Sequence, residues 1–117
     1  MVPAVELNVS SRSQGDHVSV IVAGEIDLYS APMLQADLAE IIDGAAQATR
    51  VVVDMSGVEF CDSTGMNVLL SSLRQVRQRG GELELAAPRP AVRKILQVTG
   101  LDSVFTVSPD PVVLPSN

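Results

Sequence analysis

Four consecutive residues, Asp62-Ser63-Thr64-Gly65, gather two hydroxyls beside a carboxylate at the start of a helical pattern. A serine in that position has two ordinary uses. Its oxygen can cap the unpaired N–H groups of the first helical turn. The same donors and the helix dipole also favour negative charge, so a phosphoryl group carried there is well placed. Nucleophilic catalysis asks for more: a base and a group orienting that base, both within hydrogen-bond reach. His17 is the single histidine, no orienting group accompanies it in sequence, and no Gly-x-Ser-x-Gly surrounds Ser63. Asp54 closes an apolar run, where a phospho-accepting aspartate would sit. That chemistry needs an acidic cluster for magnesium and a lysine after a later strand, and that strand ends in Ala86-Ala87. Taken alone, Ser63 therefore reads first as a helix cap, with a phosphorylation site as the alternative that its position also allows.

The bulk properties narrow the partners. The 117 residues suit one domain, with 14 acidic against 8 basic side chains and a net charge of −6. Nucleic-acid binding requires clustered Lys and Arg. Here Lys94 is the one lysine, and Arg74, Arg77 and Arg79 gather at one helix end, where cations complement the dipole. One cysteine, Cys61, excludes an internal disulfide and a zinc quartet of thiolates. It lies beside Phe60 as a small hydrophobe, and its acidic neighbours Glu59 and Asp62 disfavour a thiolate. A Gly-x-x-x-x-Gly-Lys phosphate loop is missing, and no cofactor or metal is expected. With no signal-peptide pattern and no apolar run near ~18 residues, the expectation is a cytoplasmic module without a membrane partner.

These side chains need elements to position them. Val5, Leu7 and Val9 alternate with polar residues as in a half-buried strand, Ser13 to Asp16 reads as a turn, and Val18 to Ala23 as a second strand, together a hairpin with His17 exposed at its mouth. Gly24 to Leu28 leads into a helix with Ser30 as cap, Pro32 in the first turn, a stripe of Leu34, Leu38, Ile41 and Ile42, and Gly44 as stop. Arg50 to Asp54 is a short buried strand, followed by a turn through Met55-Ser56-Gly57. The helix from Ser63 to about Arg79 turns Met66, Leu69, Leu70, Leu73 and Val76 to one face, and Gly80-Gly81 ends it. Leu83 and Leu85 mark a strand with one wet face. Pro90 opens a third helix, with Val92, Ile95, Leu96 and Thr99 inward and Gly100 in the left-handed position. Val104 to Val107 closes the sheet. The expected fold is α/β: a mixed sheet, antiparallel hairpin first and parallel strands after, with helices mainly on one face. Residues 1–107 form the domain, and 108–117 a loose tail containing three prolines.

Three blocks resemble the STAS domain of bacterial anti-sigma factor antagonists: Gly24-Glu25-Ile26-Asp27; Val51-Val52-Val53-Asp54 continuing to Phe60-Cys61-Asp62-Ser63-Thr64-Gly65; and Gly80-Gly81-Glu82-Leu83 continuing through Val92, Leu96 and Gly100-Leu101. The resemblance spans about residues 5 to 107, and Asp-Ser-Thr-Gly is its most specific part. It implies partner switching. The unphosphorylated antagonist binds an anti-sigma factor that is also a serine kinase, and a sigma factor is released. Phosphorylation of the serine after the aspartate, here Ser63, breaks the complex, and a metal-dependent serine phosphatase resets it. By the same resemblance Asp27, Asp62, Thr64 and Gly65 lie at the kinase contact. Two departures stand out. Met66-Asn67 replaces the Leu-Gly of many members, so Asn67 adds a side chain beside the serine that bears on partner choice. The proline-containing tail replaces a fourth helix, which leaves part of one face open to a homodimer or another partner. The alternative function is a scaffold or ligand-sensing STAS module without phosphorylation, and an enzyme stands third.

Overall fold

The structure, a computed structural model, describes residues 7–112. In chain order it contains strands β1 (Asn8–Gln14) and β2 (His17–Ile26), helix α1 (Ala31–Asp43), strand β3 (Arg50–Cys61), helix α2 (Ser63–Gln78), strand β4 (Glu82–Ala86), helix α3 (Pro90–Thr99), a 3-10 turn (Leu101–Ser103) and strand β5 (Thr106–Ser108). The strands lie in the order of the chain, β1-β2-β3-β4-β5. β1 is antiparallel to β2, and the other pairs are parallel. Each parallel neighbour must be reached by a right-handed crossover. A sheet extended always in the same direction by such crossovers puts every helix on the same face. That is the mixed, one-sided architecture expected from the sequence.

The core lies between that face and the helices. Val20, Val22, Val53, Leu83 and Leu85 from the sheet meet Leu34, Leu38 and Ile42 of α1, Leu69, Leu73 and Val76 of α2, and Val92 and Leu96 of α3, all buried. The helical stripes read from the sequence are therefore the packed faces, with Ile41, Leu70 and Ile95 at their partly covered margins, except that Thr99, expected inward, is exposed at the end of α3 and donates its hydroxyl to Ile95 O at 2.6 Å. α3 ends as expected, with Gly100 left-handed at φ +77° and Leu101 packed back against the core.

Several boundaries differ. β2 runs on to Ile26, where the sequence pattern reads an approach to a helix. β3 does not stop at Asp54: Met55-Ser56-Gly57 is strand, not turn. Ile21 pairs with Asp54 but Ala23 pairs with Gly57, so β3 carries an extra residue there, a bulge. The turn-like signal is real but local, because Asp54 Oδ1 accepts both the Ser56 N–H (2.9 Å) and the Ser56 hydroxyl (2.7 Å). At the start, β1 continues through Ser13 and Gln14, which leaves Gly15-Asp16 as the turn. Val5 lies outside the described residues. His17 is half-buried rather than an exposed turn residue, with one ring nitrogen 2.9 Å from Asp16 Oδ1 and the other 3.0 Å from Gln14 Oε1. The closing strand shrinks to Thr106–Ser108 because Leu101–Ser103 tightens into a 3-10 turn. Beyond it Val112 N–H donates to Asp54 Oδ2 at 2.8 Å, and residues 113–117 of the tail lie outside the described residues.

Among the described residues, one buried side-chain oxygen is left without a hydrogen bond. Ser72 in α2 is fully buried, and its hydroxyl has no partner among the described residues. A buried hydroxyl without a hydrogen bond costs about 1–3 kcal/mol. Ser72→Ala is therefore expected to raise the urea midpoint by roughly 1 kcal/mol of stability with an unchanged slope.

Candidate functional site

The site is built where two neighbouring parallel strands end together. Ile26 at the end of β2 is in register with Cys61 at the end of β3, and Asp62 N–H donates to Ile26 O at 3.1 Å. The chain leaves β2 into the loop Asp27–Ser30 and leaves β3 straight into α2, so the two exits lie side by side. Asp62 is extended (φ −92°, ψ −173°), and its side chain accepts the Gly65 N–H at 3.1 Å. Its carbonyl takes the Met66 N–H at 3.0 Å. Asp62 is thus the cap of α2, and the plainer reading of Ser63 as the cap is corrected. The aspartate satisfies the helix end, which leaves the serine as the first helical residue.

Relieved of that task, Ser63 is exposed, and its hydroxyl makes no hydrogen bond to any described residue. Thr64 beside it is half-buried. Asn67 is exposed one turn further on, and the i, i+4 spacing makes it a surface neighbour of Ser63. Gly65 is buried for a packing reason. A Cβ there would stand 2.5 Å from Ile26 Cγ2 and 2.7 Å from Cys61 Sγ, so only glycine lets α2 sit down on the ends of β2 and β3.

The β2–α1 loop is ordered by Asp27. Its Oδ1 accepts the N–H groups of Tyr29 (2.9 Å) and Ser30 (3.0 Å). The Ser30 backbone N–H is the main reason the Asp27 carboxyl is held below its ordinary pKa, against an opposing desolvation. Ser30 precedes α1 as expected, yet its side chain does not cap the helix. Its hydroxyl donates to Glu25 O at 2.8 Å and accepts from Asp27 N–H at 3.0 Å, which ties the loop to itself. Around this rim the structure adds residues the sequence pattern did not single out. Tyr29 is 90% exposed, Leu28 65%, Phe60 47% and Met33 43%. A signal was available for Met33 alone, which falls outside the stripe that buries Leu34 and Leu38 in α1.

The structure does not bring the single histidine to Ser63. His17 stands at the opposite end of β2 from Ile26, about 30 Å away along a strand. Among the described residues, no group of three His, Cys, Asp or Glu side chains converges as a metal site. Cys61, directly before the cap, is buried, and desolvation with the Asp62 charge pushes its thiol up to about 12. At the ends of β2 and β3 the structure thus presents an exposed Ser63 hydroxyl, two carboxylates bonded within their own loops, and the exposed side chains of Leu28, Tyr29, Met33 and Phe60.

The model of the STAS domain matches residues 8–112. The chain belongs to the STAS domain family. Over 104 residues it is 30% identical to the anti-sigma-B factor antagonist of Bacillus subtilis (strain 168), covering 89% of this chain and 93% of that protein. The crystal structure of an anti-sigma factor antagonist from Mycobacterium paratuberculosis superposes with a TM-score of 0.78 at 28% identity, covering 89% of this chain and 86% of the other. The Bacillus cell fate determinant SpoIIAA in its phosphorylated form shares the fold, with a TM-score of 0.65 at 22% identity over 88% of this chain and 91% of the other. Among the described residues no helix of this STAS domain is long and apolar enough to cross a membrane.

Two outcomes follow from the packing of the site. Gly65→Ala forces Ile26 and Cys61 apart and should lower stability by about 1–3 kcal/mol in denaturant unfolding. The folded protein should resist alkylation of Cys61 by iodoacetamide at pH 8, seen as unchanged intact mass, and take up one adduct once unfolded.

Proposed function

We propose that this STAS domain is an anti-sigma factor antagonist switched at Ser63. The unphosphorylated chain docks its Ser63 rim on an anti-sigma factor that is also a serine kinase, and the sigma factor is released. Phosphorylation of Ser63 by that kinase ends the complex, and a serine phosphatase restores it. The observation that carries this reading is the free, exposed Ser63 hydroxyl, whose capping duty Asp62 has taken over. The likeness to anti-sigma factor antagonists over nearly the whole chain supports the partner class, and a neighbour of the same fold solved in a phosphorylated form is consistent with the chemistry.

The physics favours a switch that acts at the interface. A phosphate at a helix N-terminus gains only about 0.3–1 kcal/mol, or ~2 when partly buried. That is too small to refold a packed domain, and Asp62 repels the added charge. Turning binding from nearly complete to nearly absent takes about 5.5 kcal/mol of differential affinity. Pressing a dianion into a surface collared by Leu28, Tyr29, Met33 and Phe60 supplies several kcal/mol of desolvation. Asp27, Asp62, Thr64 and Asn67 frame the contact, while Gly65 serves it by holding α2 in place.

Incubation with a cognate anti-sigma kinase and ATP should add one phosphoryl group by intact mass, and Ser63→Ala should abolish it. Ser63→Ala should still bind the kinase. The phosphorylated protein should bind about 10⁴-fold more weakly, with amide shifts confined to the first turn of α2 and the Asp27–Ser30 loop. Modification at Thr64 would move the switch by one residue. A kinase that neither binds nor modifies the chain would favour the scaffold or ligand-sensing reading.

A further inference from the structure

The layer of helices stops short of the first strand. α1, α2 and α3 each belong to a crossover between neighbouring parallel strands, whereas β1 is joined to β2 by a hairpin and brings no helix of its own. Val9 pairs with Val22, Ser11 with Val20 and Ser13 with Val18. Those three β2 valines are buried in the core, so Val9, Ser11 and Ser13 share the helix-side face, while Asn8 and Arg12 belong to the opposite one. Ser11 and Ser13 are nevertheless exposed and Val9 is half-buried.

Between this strip of β1 and the second half of α1 the surface is hollowed by about 460 Å³. Val9, Val18, Ile41 and Ala45 give the hollow an apolar floor, and Asp37 and Glu40 line it from α1. Asp37 to Ala45 spans about 12 Å, roughly two helical turns. α1 carries three acids, Asp37, Glu40 and Asp43, and no basic residue. Neither Asp37 nor Glu40 forms an ion pair with another described residue. Glu40 stands in the last turn, where the helix dipole disfavours negative charge. These acids therefore do little for α1 itself and leave an uncompensated negative wall beside an apolar floor.

We propose that this hollow is a docking site for a basic amphipathic helix of a partner protein, which continues the helix layer over β1. Apolar side chains at i, i+4 and i+7 of that helix rest on Val9, Val18, Ile41 and Ala45. Lys or Arg on its flank toward α1 meet Asp37 and Glu40, and its other flank lies over Ser11 and Ser13. Residues three and four apart on a helix lie on one face, so a single helix brings both the apolar and the basic groups to the same hollow. The contact is made by side chains and asks nothing of the outer backbone edge of β1. A net charge of −6 favours a basic partner, and it sets a second copy of the chain against its own kind. Val18, on the floor, stands about 26 Å along β2 from Ile26 at the Ser63 rim, so the two surfaces do not overlap.

The test is an NMR titration of the full chain with a synthetic helical peptide of five turns, carrying leucine at i, i+3, i+4 and i+7, lysine on both flanks and alanine elsewhere. Expected are amide shifts in Val9–Ser13 and Asp37–Ala45, and at least tenfold weaker binding after Asp37→Lys with Glu40→Lys. Ser11→Arg, at an exposed position on the opposite wall, should weaken binding as well. A peptide of the same composition scrambled to lose its stripe should not bind, nor should one with glutamate in place of lysine. Absence of binding, or shifts centred on Leu28, Tyr29 and Phe60, would overturn the proposal. So would equal binding of the scrambled peptide, or equal binding by the charge-reversed protein with an unchanged circular dichroism spectrum. Concentration-dependent broadening of the same amides without peptide would assign the hollow to a second copy and equally overturn it.

Discussion

The close seating of α2 on the ends of β2 and β3 is the constraint from which the rest of the site follows. It rests on a missing side chain at Gly65 and on two hydrogen bonds of Asp62, one from its N–H to Ile26 O and one from Gly65 N–H to its carboxylate. Those contacts fix where the helix begins. Because Asp62 is the last non-helical residue, the next side chain in sequence leaves the helix end toward solvent. Exposure of Ser63 is thus a by-product of packing done by its neighbours, and the order aspartate, serine, then a small residue two positions later has a mechanical meaning.

The same division of labour appears in the adjoining loop. Asp27 spends its carboxylate on Tyr29 and Ser30, and Ser30 spends its hydroxyl on Glu25 and Asp27. A loop satisfied from within can hold Leu28 and Tyr29 out in water without collapsing onto the core. Large exposed apolar side chains on rigid backbone lose little further freedom on binding, which is what a protein interface requires.

Much of this was legible in the sequence. The stripes Leu34–Leu38–Ile42 and Met66–Leu69–Leu73–Val76 are buried as their spacing demands, and the strand–helix alternation gave the mixed sheet with helices on one face. What failed was local. Ser56-Gly57 looks like a turn because a bulge uses turn chemistry, and only the pairing with Ala23 shows that the strand continues. Asp62 and Ser63 are both good capping residues, and nothing in their order says which backbone angle each adopts. Tyr29 and Phe60 were missed because an exposed aromatic has no period. Tyr29 follows the end of β2 and Phe60 lies next to the end of β3, strand ends that only the sheet register brings level, a relation between distant residues that no window on the chain displays.

The strictly sequential strand order has a bearing on how the molecule is made. Every strand after the first finds its partner among residues already synthesised, and no later segment inserts between two earlier ones. Assembly can then proceed vectorially from the ribosome, each new strand templated by the exposed flank of the growing sheet. The platform beneath Ser63 is complete once α2 has emerged, before β4, α3 and β5 are added.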